Sequence, residues 1–270
     1  MRTIRLGLAR IRYETKGYFR APDTVFFSFL FPIVMLGIFT AAFSRAGDIR
    51  PGPGSVDHVS VGAYYLPGML AAGVLLSGVQ NLAVDIAGEK GDGTLKRLGG
   101  TPLSPISYFI GKIGRVFATG LLQAALLLIV ARIVFDVALP DEWSAWATFA
   151  WTFVLGTAAS ALLGVALSAL PRSSRSATAV VVPILLVLQF ISGVYIQFSI
   201  LPTWMQNLAS AFPIKWLAQG MRAAFLPDAF KALEQHGAWD LGWVAVWLAV
   251  WLVVGLVASR LTFRWIRRDA

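Results

Sequence analysis

Six apolar runs, each long enough to cross a lipid bilayer as a helix, dominate this chain of 270 residues. About 20 largely apolar residues suffice to span a membrane. Inside lipid the backbone N–H and C=O groups must be paired within their own segment, so such runs are predicted to be helices. The chain is 57% hydrophobic and 14% charged, which favours a polytopic helical membrane protein. The runs are Thr24–Phe43, Tyr64–Val84, Tyr108–Phe135, Trp143–Leu170, Thr178–Gln197 and Leu241–Leu261.

The composition excludes several classes of chemistry. There is no cysteine, so disulfides, thiolate nucleophiles and cysteine-ligated metals are ruled out. The two histidines, His58 and His236, fall outside the apolar runs, and neither a Gly-x-Ser-x-Gly nor a His-Glu-x-x-His motif is present. We therefore predict a single membrane domain over residues 1–270 that is not an enzyme and has no catalytic residue and no metal.

The basic residues predict the orientation in the membrane. With six spans, 17 of the 23 Lys and Arg residues fall on one side. Such an excess marks the cytoplasmic side, so we expect both termini in the cytoplasm and the protein in the plasma membrane. The net charge of +9 is then explained by contact with membrane lipid, and no nucleic-acid partner is expected.

Residues 1–22 are predicted to be an amphipathic helix that lies in the cytoplasmic interface. Ile4, Leu8 and Ile11 recur at helical spacing, while basic residues occupy the other faces. A basic anchor without this helix is the simpler alternative. Pro22 then permits a sharp turn into the first span.

The segment 198–240 is too interrupted by proline for a seventh span and too apolar for a solvated loop. Short re-entrant helices that dip into the outer leaflet, with tryptophan at the headgroup level, fit it best. The predicted fold class is therefore an all-α membrane protein. It has six transmembrane helices, an N-terminal amphipathic interfacial helix and short external re-entrant helices before the last span.

Small residues recur every fourth position in the fourth span. This spacing lets two helix backbones approach closely, either within one subunit or between two copies. The residues are Gly156, Ser160, Gly164 and Ser168.

Polar side chains also lie within the spans. Asn81 shares a predicted helix face with Ser77 and Asp85, which are each four residues away. Gln123 and Gln189 lie deeper and are candidates for a dimer interface or a transport pathway, since polar groups in spans usually face protein or water. Lys112 and Arg115 are near a span end, where we expect them to reach water as interfacial anchors.

The segment 86–106 between the second and third spans is the most distinctive of the chain. Its acidic residues mostly precede its basic residues, and Thr94–Leu98 is predicted to form a short amphipathic helix before a Gly-Gly pair. This pattern favours a docking surface for another protein, and a basic loop with turn residues is the alternative.

The string Glu89–Leu98, followed by Thr101–Ser104, resembles the coupling loop of ABC-2 type permeases, the membrane subunits of ATP-binding-cassette exporters. Ile191–Tyr195 in the fifth span and Phe212–Trp216 before the last span resemble the same family, as does the N-terminal helix. The resemblance covers essentially the whole chain in the number and order of spans.

The resemblance implies a dimeric export subunit, formed with an identical or a related second permease copy, that is paired with two ATP-binding cassette ATPase subunits. No Gly-x-x-x-x-Gly-Lys-Ser/Thr phosphate loop occurs here, so ATP and magnesium are expected on the partner subunit and no cofactor in this chain. The residues expected to couple to the ATPase are Glu89, Lys90, Thr94, Lys96, Arg97, Thr101 and Pro102.

The resemblance also implies that the second and fifth spans of two protomers face each other around the cargo route. We expect a hydrophobic or amphipathic substrate to be exported: a drug, lipid, glycolipid or natural product. The alternative is a secondary carrier or channel driven by an ion gradient, but such proteins usually bury acids at mid-membrane, where this chain has none. The expected pathway residues are Asn81, Gln123, Gln189, Phe190, Ser192 and Val194.

Overall fold

The computed structural model describes residues 2–263, which are helical with short connections. Arg264, Arg267 and Arg268, which contribute to the predicted charge asymmetry, lie outside the described residues. The helices are α1 (Arg2–Phe19), α2 (Pro22–Phe43), α3 (Val61–Leu75), α4 (Leu82–Gly91), α5 (Thr94–Gly99), α6 (Pro105–Val134), α7 (Trp143–Leu167), α8 (Ser174–Ile191), α9 (Thr203–Ser210), α10 (Pro213–Phe225) and α11 (Leu241–Thr262).

Six helices within residues 2–263 are long and apolar enough to cross a membrane, which confirms the predicted fold class in its main feature. They are α2, the continuous helix Val61–Gly91, α6, α7, α8 and α11. We call the end of the bundle that carries α5 the α5 end. The predicted second span was too short, because its helix continues beyond Val84 to Gly91 at the α5 end.

The predicted fifth span was too long. Helix α8 ends at Ile191 rather than Gln197 because Gly193 adopts a left-handed conformation, with φ of 77°. The Val194 N–H then donates to the Gln189 carbonyl oxygen over 3.4 Å. A glycine in this position with this hydrogen bond is the usual helix-terminating motif, and it turns residues 192–197 out of the helix axis.

A π-helical turn at Leu76–Asn81 joins α3 to α4. Its Gly78 packs against α7, where a Cβ atom on Gly78 would lie 2.6 Å from the Cβ of Ser160. A Cβ atom on Gly164 of α7 would in turn collide with the carbonyl oxygen of Gly78. The small residues of α7 therefore serve packing within this chain, which decides between the two alternatives for that stripe.

Replacing Gly164 by alanine should lower the free energy of unfolding by about 1–3 kcal/mol, because an added methyl group overpacks a backbone–backbone contact. Gly242→Ala in α11 is the matched control, since a Cβ atom there meets no atom within 4 Å. Denaturant titration in mixed micelles measures both variants. An effect of Gly164→Ala no larger than that of Gly242→Ala contradicts the close packing.

Helix α1 lies along α6 through glycine contacts. Gly7 faces Ile110, and Gly111 and Gly114 of α6 face Arg10 and Ile11. Ile11 is therefore turned toward α6, while Ile4 and Leu8 remain exposed, at 61% and 58%. The helix predicted within residues 1–22 is present, and its location in the membrane interface stays a prediction.

Within 198–240, α10 is enclosed by α3, α7 and α11 rather than spread over the bundle surface. Gly220 permits this because its missing side chain leaves room for Thr152 and Val244. Trp216 is buried and stacks on Trp247 with ring centroids 5.9 Å apart. Trp204 of α9 is exposed, so only α9 retains the predicted character of a surface helix.

Candidate functional site

A buried lysine lies at the centre of the α5 end. The Nζ of Lys112 on α6 donates to Glu14 of α1 (2.7 Å), Asp85 of α4 (2.6 Å) and Glu89 of α4 (2.7 Å). An ammonium group has three N–H donors, so three carboxylates satisfy it completely. The Lys112 side chain is 0% exposed, and the prediction that it reaches water as an anchor was wrong because these acids converge on it.

Further charged groups surround this lysine. Arg10 pairs with Glu14 at 2.8 Å and Arg115 pairs with Asp85 at 2.9 Å, so Arg115 is also not a free anchor. The network joins α1, α4 and α6 through three cations and three carboxylates, and its net charge is zero. Burying such groups is tolerated only when they are fully paired. We refer to Arg10, Glu14, Asp85, Glu89, Lys112 and Arg115 as the ionic cluster.

The acidic residues of the ionic cluster have the spacing of a cation site. One carboxylate oxygen from each of Glu14, Asp85 and Glu89 lies within 4.8 Å of the others. The Lys112 ammonium already contacts all three of them. The three acids therefore form a binding pocket for lysine rather than a metal centre.

Two of the predicted coupling residues have side chains that form hydrogen bonds with other helices and connections of this chain. Glu89 accepts hydrogen bonds from Lys112 and from the Tyr108 hydroxyl, the latter at 2.6 Å. Lys90 donates to the carbonyl oxygens of Ala169 (2.9 Å) and Pro171 (3.2 Å) in the connection between α7 and α8. These two side chains fix the end of α4 and are committed to contacts within this chain.

Helix α5 is set by local hydrogen bonds. Gly93 has a φ of 78°, and the Thr94 N–H donates to Asp92 over 2.8 Å, which starts the helix. Hydrogen bonds from Thr94 also lower the pKa of Asp92 from its ordinary value. Arg97 in turn donates to the Thr94 hydroxyl at 3.1 Å.

One face of α5 is anchored and the other is free. Leu95 is buried in an apolar cluster with Ile86, Tyr108 and Val116. The opposite face and the turn after it expose the remaining predicted coupling residues, which we call the α5 surface: Lys96, Arg97, Thr101 and Pro102.

A chain of polar side chains crosses the interior above the ionic cluster. The Ser77 hydroxyl donates to Gln123 at 3.0 Å, and the Gln123 amide donates to the Ser28 carbonyl oxygen at 2.8 Å. The Asn81 amide donates to the Ser28 hydroxyl at 2.8 Å. Ser77, through Gln123, and Asn81 therefore both connect to Ser28 of α2.

The remaining predicted pathway residues surround the end of α8. Gln189 is 8% exposed and accepts a hydrogen bond from the Tyr195 hydroxyl at 2.5 Å. Ser192 and Val194 are buried, and Phe190 is 41% exposed on the bundle surface. The structure therefore separates the predicted pathway set: Gln123, Gln189, Ser192 and Val194 pack inside this chain, Phe190 is outward-facing, and Asn81 borders a cavity.

That cavity, of about 880 Å³, lies between α1, α2, α4 and α8 at the α5 end. One face of α2 lines it with Asp23, Phe27 and Phe31, and one face of α8 lines it with Thr178 and Val182. The sequence analysis did not identify this site. Asp23, Phe27 and Phe31 recur every four residues, which places them on one face of α2 and was the available signal. We call this space the lateral cavity.

A second charged group is buried near the opposite end. Arg222 of α10 pairs with Glu234 through its Nε (2.5 Å) and a terminal nitrogen (3.0 Å), and donates to the Gly193 carbonyl oxygen at 2.9 Å. Lys215, one turn from Gln219, donates to the Gln219 side chain at 2.6 Å and is otherwise covered by the Trp216 ring. Burial lowers the pKa of Lys215 to about 8.

Comparison with known proteins gives consistent matches. Residues 54–261 match the model of a family described as "ABC-2 family transporter protein". The chain is 24% identical over 200 residues to the "Inner membrane transport permease YadH" of Escherichia coli strain K12, covering 72% of this chain and 74% of that protein. The protein of the same name from Shigella flexneri matches to the same extent. The family match contains α3 to α10 and nearly all of α11, whereas α1 and α2 precede it.

Proposed function

Because the chain belongs to the ABC-2 family of transporter proteins, we propose that it is the membrane subunit of an ATP-driven exporter. It is a multi-pass transport permease with six apolar helices. An ATP-binding cassette ATPase on a separate chain would supply ATP, magnesium and hydrolysis. A second permease copy, identical or related, would complete the pathway.

This proposal rests on one observation: the α5 surface exposes basic side chains on a helix that is fixed to the rest of the chain. Lys96 and Arg97 are exposed on a helix whose opposite face is anchored by Leu95. The preceding turn is held by Glu89, whose carboxylate contacts the Lys112 ammonium. A partner that pushes on α5 would therefore displace α4, α6 and α1 together, since rigid elements and ion pairs transmit displacement better than mobile loops do.

The same proposal orients the bundle. Lys96, Arg97, Arg172 and Arg175 are exposed at the α5 end, and an excess of basic residues favours the cytoplasmic side. Helix α1 would then lie in the cytoplasmic interface with Ile4 and Leu8 toward lipid. Both termini would be cytoplasmic and export would run from the α5 end to the opposite end.

Replacing Lys96 and Arg97 together by alanine should reduce binding of the ATPase subunit and ATP-driven transport by at least about tenfold, because exposed cations steer and align a charged partner. The fold should be unaffected, since both side chains are exposed and neither forms a buried contact. Co-purification with the ATPase and transport in proteoliposomes measure the two effects.

The matched control is Arg45→Ala with Arg50→Ala, which removes the same charge at the opposite end of the bundle. This control should bind the ATPase and transport like the parent. If both double variants behave alike, or if the parent chain transports with an ion gradient and no ATPase, the proposed exporter role is wrong.

A further inference from the structure

We propose that a groove along α1 is a binding site for one anionic phospholipid. The groove has a volume of about 620 Å³, and it is lined by apolar residues of α1 and by three cations: Arg12, Lys16 and Arg20. It lies outside residues 54–261, the part of the chain that matches the family model. The inference names a membrane ligand and does not depend on ATP-driven export. We call this space the α1 groove.

The three cations of the α1 groove have no carboxylate partner. Arg12, Lys16 and Arg20 recur every four residues, which places them in one row along α1 and the turn after it. All three are exposed, and none forms an ion pair with a residue in 2–263. Glu14, the single acid in the sequence of α1, is taken up by the ionic cluster. Three uncompensated positive charges on an amphipathic helix are typical of sites for anionic headgroups.

An apolar row runs beside the basic row. Leu8 and Phe19 line the α1 groove, and both are large apolar side chains that remain exposed. Ile4 is also exposed and extends the row by one turn. A helix with an apolar strip next to a basic strip can contact acyl chains with the first and headgroups with the second. A phospholipid has both of these parts, whereas a soluble anion has only the charged one.

A hydroxyl donor belongs to the same groove. Thr15 lies between Arg12 and Lys16 in the sequence, and it lines the α1 groove. Its hydroxyl is buried without a hydrogen-bond partner in the described part of the chain. Buried hydroxyls are normally paired, because leaving one unpaired costs free energy. Guanidinium, ammonium and hydroxyl groups together are a suitable donor set for the oxygens of a phosphate.

The opposite side of α1 is fixed to the bundle. Glu14 contacts Lys112 of α6 at 2.7 Å, and the Ser107 hydroxyl of α6 donates to the Thr3 carbonyl oxygen at 2.8 Å. The α1 groove is therefore presented by a helix that is already in place. A preformed surface binds a ligand without first losing conformational freedom, which favours a discrete site over diffuse adsorption.

The experiment titrates the full chain in non-ionic detergent micelles, without ATPase, and counts bound lipid by native mass spectrometry. The probe is phosphatidylglycerol, and phosphatidylcholine with the same acyl chains is the chemical control. We expect one phosphatidylglycerol per chain to bind at least about tenfold more tightly than phosphatidylcholine, because only its headgroup carries a net negative charge. Equal affinity for the two lipids overturns the proposal.

Glycerol phosphate distinguishes a lipid from a soluble phosphate as the ligand. It carries the negative charge but no acyl chains, so it cannot cover the Leu8 and Phe19 side chains. We expect it to compete with phosphatidylglycerol at least about tenfold more weakly than unlabelled phosphatidylglycerol does. Competition by both at the same concentration would assign the α1 groove to a soluble phosphate and overturn the lipid site.

Arg12→Gln with Lys16→Gln should weaken binding of phosphatidylglycerol at least about tenfold, because each cation near an anionic headgroup contributes roughly fivefold. The matched control is Arg172→Gln with Arg175→Gln, which removes two exposed cations from the same end of the bundle. This control should bind the lipid within a factor of about two of the parent. Equal losses in the two double variants would show diffuse attraction by surface charge and overturn the discrete site.

A charge-conserving variant separates the effect of charge from that of folding. Arg12→Lys with Lys16→Arg keeps both cations and should bind phosphatidylglycerol within about threefold of the parent. Loss of binding by this variant as well overturns the assignment of these two cations. If Arg12→Gln with Lys16→Gln binds the lipid like the parent but no longer co-purifies with the ATPase, the α1 groove is a protein contact and the lipid site is wrong. A negative lipid result by itself leaves ATP-driven export intact.

Discussion

Replacing Lys112 by methionine should lower the free energy of unfolding by about 3–5 kcal/mol, which makes it one of the two most damaging single changes that we expect. The substitution leaves Glu14, Asp85 and Glu89 facing one another with the central ammonium removed. Removing one partner of a buried ionic group costs far more than the pair contributes. Denaturant titration in mixed micelles, followed by tryptophan fluorescence, measures the loss.

Arg132→Met on the same helix is the matched control for Lys112→Met. Arg132 is 57% exposed and its contact with Asp136 is at 3.5 Å, so its loss should change the free energy of unfolding by less than about 0.5 kcal/mol. Adding Glu89→Gln to Lys112→Met should recover part of the loss, because it removes one uncompensated charge. Similar effects for Lys112→Met and Arg132→Met would show that the ionic cluster contributes little.

Replacing Arg222 by methionine should also cost about 3–5 kcal/mol, and it should disrupt the opposite end of the bundle. It leaves the Glu234 carboxylate, which is 2% exposed, without its cation. It also removes the donor to the Gly193 carbonyl oxygen, which ties α10 to the turn after α8. Because α10 packs against α3 and α7, we expect lower expression and a lower free energy of unfolding in the same micelle titration.

The control for Arg222→Met is Lys231→Met in the same external segment. Lys231 pairs with Asp228 at 2.6 Å, but both side chains are well exposed, so the loss should not exceed about 1 kcal/mol. The double variant Arg222→Met with Glu234→Gln should be more stable than the sum of its single variants implies. If the effects of the two single substitutions on the free energy of unfolding add up in the double variant, the two residues do not interact in the folded protein.

The positions of the helix ends illustrate how far sequence reasoning extends. The short helix at Thr94–Leu98 was predicted and is confirmed as Thr94–Gly99, because a local amphipathic pattern between glycines specifies it. The end of the fifth span was misplaced, because Val194 and Ile196 extend the apolar run whereas the left-handed conformation of Gly193 decides the turn. Hydropathy measures the environment of a segment and not its backbone conformation.

The candidate site depended more on tertiary structure. Lys96 and Arg97 are exposed, whereas Glu89 and Lys90 of the same string face inward, and a docking role for any of them stays a prediction. Adjacent residues of equal polarity point in different directions on a helix, and only the neighbouring helices determine which direction is buried. The lateral cavity was missed for the same reason, since α2 and α8 are distant in sequence.

The sequence by itself determined that this chain has six membrane-spanning helices. Each segment must be long and apolar enough to cross the bilayer and must pair its own backbone groups, and both are properties of the local sequence. The tertiary structure alone decided which charges are buried and which are exposed. Lys112 and Arg132 belong to the same helix, yet one is enclosed and the other is in contact with solvent or headgroups. The difference arises because Glu14, 98 residues away, and Asp85, 27 residues away, meet Lys112 when α1 and α4 pack against α6.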